Sequence, residues 1–515
     1  MRAASRWRVV LILAFLTGTA GIGFGAESVP PRLRVAADRF ATAADVGAAS
    51  YGRTDSRIET VAGPMNTTVL LLEDGEDVLC VIASDFHVNS LNLSRFLRAR
   101  AAEALGLDAS RILFFSSHNH SVPKFAEGEI SAYTSYELSP DEWPELTLTP
   151  VGEAFVKTLK KRLLELPAAL KPATVHWVQG EEGRITYNRK GRRADGSTYF
   201  MREEDREQVG ADFNGDIDRQ VPVIVFRGED DAPIAALMQF TGHPVTSYHP
   251  ERPVVFGDWP AVAADILGRR LGGNGPPVPV AFLQGCAGDV NSKEMFRGGV
   301  ERATEFGKML AESAIEVLGD LKPSRRDGMD YAVKTVGLPL ALLPPVETLR
   351  AELDEMKEFI RRADAGSEDT LECVGLNFPR ALSPEYRGRL VKLILPWNEW
   401  ALQRHTAGEA DSVPRTLDLP IYVLRLGDVG IVGMPCEPFL GIGRRMRNRS
   451  PFPLTIPCGY TNGSHGYITD GPNTGDREYM SAFHRYTKFR PPFAKPAGDV
   501  LADEAVEILE GFAKE

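Results

Sequence analysis

Two histidines two residues apart, a further histidine and a glutamate each follow a short apolar run in this chain, and together they could hold a hydrolytic metal ion. In ILFFSSHNHSVP, residues 112–123, four apolar residues lead into Ser116, Ser117, His118, Asn119 and His120. Histidines at i and i+2 of an extended strand leave on one face, so His118 and His120 can reach one site. The pair alone decides little, since satisfied structural histidine pairs are about as common as metal pairs. In LMQFTGHPVTSYHP, residues 237–250, another strand-like run ends in His243, with His249 further on. In VGIVGMPCEPFLGIGRRM, residues 429–446, a third run ends in Glu437, where a carboxylate could equally serve a helix N-terminus. The loop GYTNGSHGYITD, residues 459–470, adds Asn462, His465 and Tyr467 among glycines that allow close approach to a site. Strand ends are where α/β folds build their sites. Two histidines and a glutamate around an open position are the ligand set of a hydrolytic zinc, which lowers the pKa of its water to about 7 and polarises a carbonyl. Neither H-E-x-x-H nor G-x-S-x-G occurs.

The elements around these residues alternate. A strand–turn–strand unit spans 67–84 with its turn at 73–77, a helix follows at 91–105, and a buried strand at 112–115. Strands at 221–226 and 234–240, a helix at 261–271, a strand at 278–283 and a helix at 302–318 repeat the scheme without a sequence repeat. A charged helical excursion occupies about 340–405, with Leu349, Leu353, Met356 and Ile360 at helical spacing, a stripe typical of core packing. Strands return at 421–426 and 429–433. The expected fold is α/β, a mixed-sheet catalytic domain over 27–515 with helices packed on the sheets and a helical insertion.

The ordered set SSHNHSVP, TGHPVTSY, FGDWP, FLQGCAGDVN, GMPCEPF and GYTNGSHGYIT resembles the catalytic domain of the neutral (alkaline, non-lysosomal) ceramidases, over residues 35–515. The resemblance implies a zinc ion on His118, His243, Glu437 and Tyr467, with His120 facing the substrate amide. It implies substrate contacts from Arg189 and from the segment holding Asp289, and it places Asp258 in the G-D-W-P match. Tyr467 would also hold or protonate the intermediate, alongside His120. One departure bears on the chemistry: the family's nucleophilic serine corresponds to Asn291. An amide cannot take an acyl group, so water activated by zinc is the expected nucleophile and Asn291 an expected hydrogen-bond donor to the oxyanion. Ser292 would point elsewhere. The family's carboxy-terminal immunoglobulin-like domain is expected to be absent, because the chain closes in a helix-like stretch at 499–514.

Arg2, Arg6 and Arg8 precede an apolar run at 9–16 and a small-residue stretch to Ala26, the pattern of a cleaved signal over residues 1–26 and of export to the periplasm or beyond. Net charge is −11, which disfavours nucleic acid as a partner but leaves a lipid-like amide and a peripheral membrane contact open. Cys80, Cys286, Cys373, Cys436 and Cys458 are too few for a disulfide scaffold and odd in number; one pair, Cys436 and Cys458 for example, could be bridged in an oxidising compartment, and sequence alone does not pair them. Asp212, Asn214, Asp216 and Asp218 alternate like a calcium loop, but Ile217 and Val223 occupy the positions that need Gly and Glu, so a solvated turn is expected. Arg444, Arg445, Arg447 and Arg449 are expected on an exposed helix face, and His87, His176, His405 and His484 in structural roles. The reading is therefore an exported zinc-dependent hydrolase of amide (N-acyl) bonds. Its rivals are an esterase or amidase for a non-lipid substrate and a binding protein that holds metal without catalysis.

Overall fold

The computed structural model describes residues 32–514 other than 52–55, 88–89, 131–139, 211 and 488–489. The expected signal, residues 1–26, lies outside the described residues. Three sheets make the frame. The first runs Ile112–Ser116, Asp77–Ser84, Met65–Asp74, Leu33–Thr42 and Lys171–Pro172 from edge to edge. The second runs Val280–Gln284, Pro233–Phe240, Gln220–Arg227, Thr174–Glu181 and Lys322–Pro323. The third runs Met329–Pro339, Thr416–Leu426, Val429–Gly433 and Leu454–Cys458.

Each sheet carries one parallel pair, and each pair is joined through a helix. Asp77–Ser84 crosses by Leu91–Leu105 to Ile112–Ser116. Pro233–Phe240 crosses by Asp258–Gly272 to Val280–Gln284. Val429–Gly433 crosses by Leu440–Arg449 to Leu454–Cys458. Parallel neighbours need such crossovers, and strands covered on both faces read as unbroken apolar runs rather than alternating ones. That is why ILFF, AALMQF and GIVG stand out in the sequence while the three units share no sequence repeat. Outer faces are covered by helices: Leu93 and Leu97 on the first sheet, Trp259, Leu267, Phe306 and Leu310 on the second, Ile442, Met446, Leu501 and Leu509 on the third. Inner faces meet in one core, where Leu72 and Val81 join Phe226 and Leu237, and Leu424 and Ile431. Each such side chain removed from water contributes about 1.5–3 kcal/mol, so the shared core fixes the sheets against one another.

The helical excursion is a hairpin of Val346–Asp364 and Pro384–Thr406, set between two strands that pair antiparallel from Met329↔Leu426 to Pro339↔Thr416. Leu349 and Met356 are fully buried, and Leu353 and Ile360 pack at its margin. Strands Leu33–Thr42, Thr174–Glu181 and Met329–Pro339 escape a reading by apolar runs, because half-buried polar positions such as Asp38 and Arg39 interrupt their pattern.

Two expectations are corrected. All five cysteines are free and buried, Cys436 and Cys458 included. Cys458 packs into the core shared by the sheets and Cys436 into the layer holding the carboxy-terminal helix, so the two thiols serve different cores. The arginine face is not simply solvated. Arg444 forks onto Asp216 at 2.6 and 2.9 Å, Arg445 onto Asp503, and half-buried Arg447 reaches Asp218 and Gln239, so the alternating acids anchor that helix.

Candidate metal centre

His118, His243 and Glu437 come from the three crossover units, one from each, and each lies beyond the carboxyl end of a parallel strand. His118 breaks from the expected extended geometry. Its strand ends at Ser116 and its own φ is +63°, an uncommon conformation for a non-glycine residue that costs on the order of 1–3 kcal/mol. Neighbours hold it there: the Ser116 hydroxyl accepts from the His118 N–H at 3.1 Å and donates to the Phe86 carbonyl at 2.6 Å, while Gln284 Nε2 donates to the Ser117 carbonyl at 2.9 Å. His118 and His120 still meet, Nε2 to Nε2, at 3.3 Å with rings perpendicular.

His243 Nδ1 stands 3.1 Å from the Val290 carbonyl, to which it donates, leaving Nε2 to face the centre, where Arg189 Nη2 also lies 3.2 Å from it. Glu437 Oε2 lies 3.1 Å from His243 Nε2 and 3.3 Å from His118 Nε2. Tyr467 enters on a two-residue parallel ladder beside Glu437, and its hydroxyl is 3.5 Å from His243 Nε2. Zinc–nitrogen distances of about 2.0–2.1 Å place tetrahedral ligand atoms about 3.3–3.4 Å apart, so this donor set fits a zinc ion. Its electrostatics fit as well. Burial, Arg189 and His118 push His243 down to about 3 against the opposing pull of Glu437, keeping it neutral at neutral pH. Burial alone would raise Glu437, but His118 and His243 more than offset it and hold the carboxyl well below the ordinary range. A neutral His243 and an ionised Glu437 are the forms that bind metal.

Arg189 closes the centre. Fully enclosed, its guanidinium donates to the Gly288 carbonyl at 2.7 and 3.2 Å, to Asn291 Oδ1 at 3.0 Å and to the Tyr467 hydroxyl at 2.9 Å. A short strand, Thr186–Asn188, brings it in by pairing with Val290–Ser292. Asn291 differs from the expectation: its Nδ2 points to Met295 Sδ at 3.1 Å while its oxygen is held by Arg189, so it presents no donor to the centre. The Asp289 carboxylate accepts from the Leu440 N–H at 2.8 Å, at the start of the crossover helix, and from Asn188 Nδ2 at 3.0 Å. Ser292 turns away to the Thr246 hydroxyl at 2.9 Å, as its register requires. Asp258 works from behind, binding the Ser247 N–H and hydroxyl, while Ser247 Oγ meets Ser121 Oγ at 2.8 Å and ties the two histidine loops together. His249 and His465 lie outside the clustered donor atoms.

Two residues at the centre were not singled out. Tyr460 lays its ring on His118 at 4.3 Å with its hydroxyl 3.5 Å from His243 Nε2. His87, read above as structural, clusters with His118 and His120. The signal was present: SDFH follows the strand Asp77–Ser84 just as SSHNH follows its parallel neighbour.

No protein-family model and no curated protein matches the sequence. Among solved structures, the neutral ceramidase from Pseudomonas aeruginosa aligns over 94% of this chain and 75% of its own, at 17% identity and a TM-score of 0.60. The fold is that of a neutral ceramidase. A ceramidase complexed with C2 aligns over 94% of this chain and 76% of its own, at 17% identity and a TM-score of 0.62.

Proposed function

We propose that this chain is an exported zinc-dependent hydrolase of amide (N-acyl) bonds with a lipid-like substrate, ceramidase-like in chemistry but without a serine nucleophile. The observation that carries the reading is Glu437 Oε2 standing 3.3 Å from His118 Nε2 and 3.1 Å from His243 Nε2, with Tyr467 beside them, on a neutral ceramidase fold. His118, His243, Glu437 and Tyr467 would hold the zinc. When bound, zinc supplies a Lewis acid for the amide carbonyl and an acidified water.

The remaining chemistry belongs to the chain. With Asn291 at the expected serine position and Ser292 facing Thr246, the attacking group is water. His120 is kept neutral by burial and by His118 and His243, so it can take a proton from the attacking water and return it to the leaving amine. Arg189 and the Tyr467 hydroxyl place donors where the carbonyl oxygen gains charge, and Asn291 holds the guanidinium in that position. The amino-terminal segment motivates export; among the described residues no helix is long and apolar enough to cross a membrane.

The test is a substrate panel of fluorogenic N-acylsphingosine, short-chain amides and short-chain esters. Turnover of N-acylsphingosine above the short amides supports the reading. Turnover confined to short esters or amides favours the non-lipid alternative, and stoichiometric zinc without any turnover favours the binding protein.

A further inference from the structure

His87 lies beyond Asp77–Ser84, and its ring makes a three-sided arrangement with two others. Ring centroids are 4.5 Å apart for His87 and His118, 4.7 Å for His87 and His120, and 4.8 Å for His118 and His120. One ligand atom from each of these side chains lies within 4.8 Å of the other two. Tyr51 packs on the His87 ring at 3.9 Å and Tyr248 on the His120 ring at 5.0 Å, so aromatic walls limit where both imidazoles can swing.

We propose that His87, His118 and His120 form a second, all-imidazole seat for a divalent transition metal, in competition with the seat that contains Glu437. The competition follows from one atom. His118 Nε2 is 3.3 Å from Glu437 Oε2 and 3.3 Å from His120 Nε2, and its single lone pair serves one ion at a time. The two seats differ in chemistry. One offers two imidazoles, a carboxylate and a phenol; the other offers three imidazoles and no anionic ligand. Imidazole suits copper, nickel and zinc, and Cu2+ stands highest among the divalent ions for nitrogen sites. The consequence is an inhibitory position: an ion held by His87 and His120 takes His118 from the proposed zinc site. The donor geometry of this seat is independent of the hydrolase reading, although the inhibitory consequence rests on it.

The test titrates the full-length metal-free protein with Cu2+ and counts coupled nitrogens by electron paramagnetic resonance. Three imidazole nitrogens are expected in the wild type, two in His87→Ala, and three again in Glu437→Gln, which damages only the other seat. A two-nitrogen signal in the wild type, or a three-nitrogen signal that survives His87→Ala, overturns the seat. Should His87→Ala fail to fold, loss of the three-nitrogen signal in Glu437→Gln overturns it equally. Addition of Cu2+ to the zinc-loaded protein should release zinc, and retention of both ions together overturns the competition. These readouts do not use turnover, so an inactive zinc-loaded wild type would sink the hydrolase reading and leave the second seat standing.

Discussion

Asn291 turns its carbonyl oxygen to the Arg189 guanidinium and its amino group to Met295, which makes it a partner of the proposed oxyanion donor rather than a donor itself. A hydrogen bond to a charged group contributes about 1.5–3 kcal/mol, so Asn291→Ala should lower kcat by roughly 10–100-fold through a loosened Arg189. Zinc content should stay unchanged, since Asn291 is not among the clustered ligand atoms. Measured kcat and metal content check both halves, and a variant with full kcat would remove Asn291 from the mechanism. At this scale the sequence was partly legible. His118 and His243 follow buried strands and could be read as such, Glu437 less firmly, and Tyr467 only by resemblance. Arg189 depends on a pairing with residues about 100 positions later, which no local pattern records. His87 carried the same strand-end signal as His118 and was passed over because a single histidine offers no spacing to test.

The elements reach the centre through their loops, and one close approach is at Gly288. A Cβ placed there would stand 2.6 Å from the Glu437 carbonyl oxygen and 2.9 Å from Phe439. Gly288→Ala must therefore push the Glu437 loop away, costing about 1–3 kcal/mol of stability and weakening zinc; thermal unfolding with a zinc titration checks both. The Leu440–Arg449 crossover helix makes a pH-dependent prediction through Asp289, whose carboxyl burial pushes up to about 6 from an ordinary 3.8. Between those values the folded chain keeps a proton that the unfolded chain has lost. The stability from this group is thus complete below pH 3.8 and lost as pH rises to 6. Relative to Asp289→Asn, the wild type should lose roughly 3 kcal/mol across that window and nothing further above it, as read by denaturant unfolding at a series of pH values. The helices and parallel strands were largely legible because they are apolar runs or amphipathic stretches. The threefold recurrence of the crossover was not, because topology recurs there without any recurrence of residues.

Across the described residues, three sheets share one core and the candidate centre draws one side chain from each crossover unit, so metal binding there would be linked to folding throughout. An ion that binds only the folded chain raises its stability by about 2.7 kcal/mol at a hundredfold excess over Kd. Chelation should accordingly lower Tm while leaving a single calorimetric transition; a separate low-temperature transition would mean that the centre melts independently of the frame. The mixed α/β class could be read from the sequence, as could the place of the helical hairpin between Pro339 and Thr416. The grouping of strands into three sheets around one core depends on pairings such as Leu33–Thr42 with Met65–Asp74 and lay beyond it. The most direct test of the account measures zinc content and amide hydrolysis together in the wild type and in His118→Ala. The account predicts stoichiometric zinc and turnover in the wild type, with both lost in the variant. A wild-type protein that binds no zinc, or a His118→Ala variant that still hydrolyses amides, would contradict it.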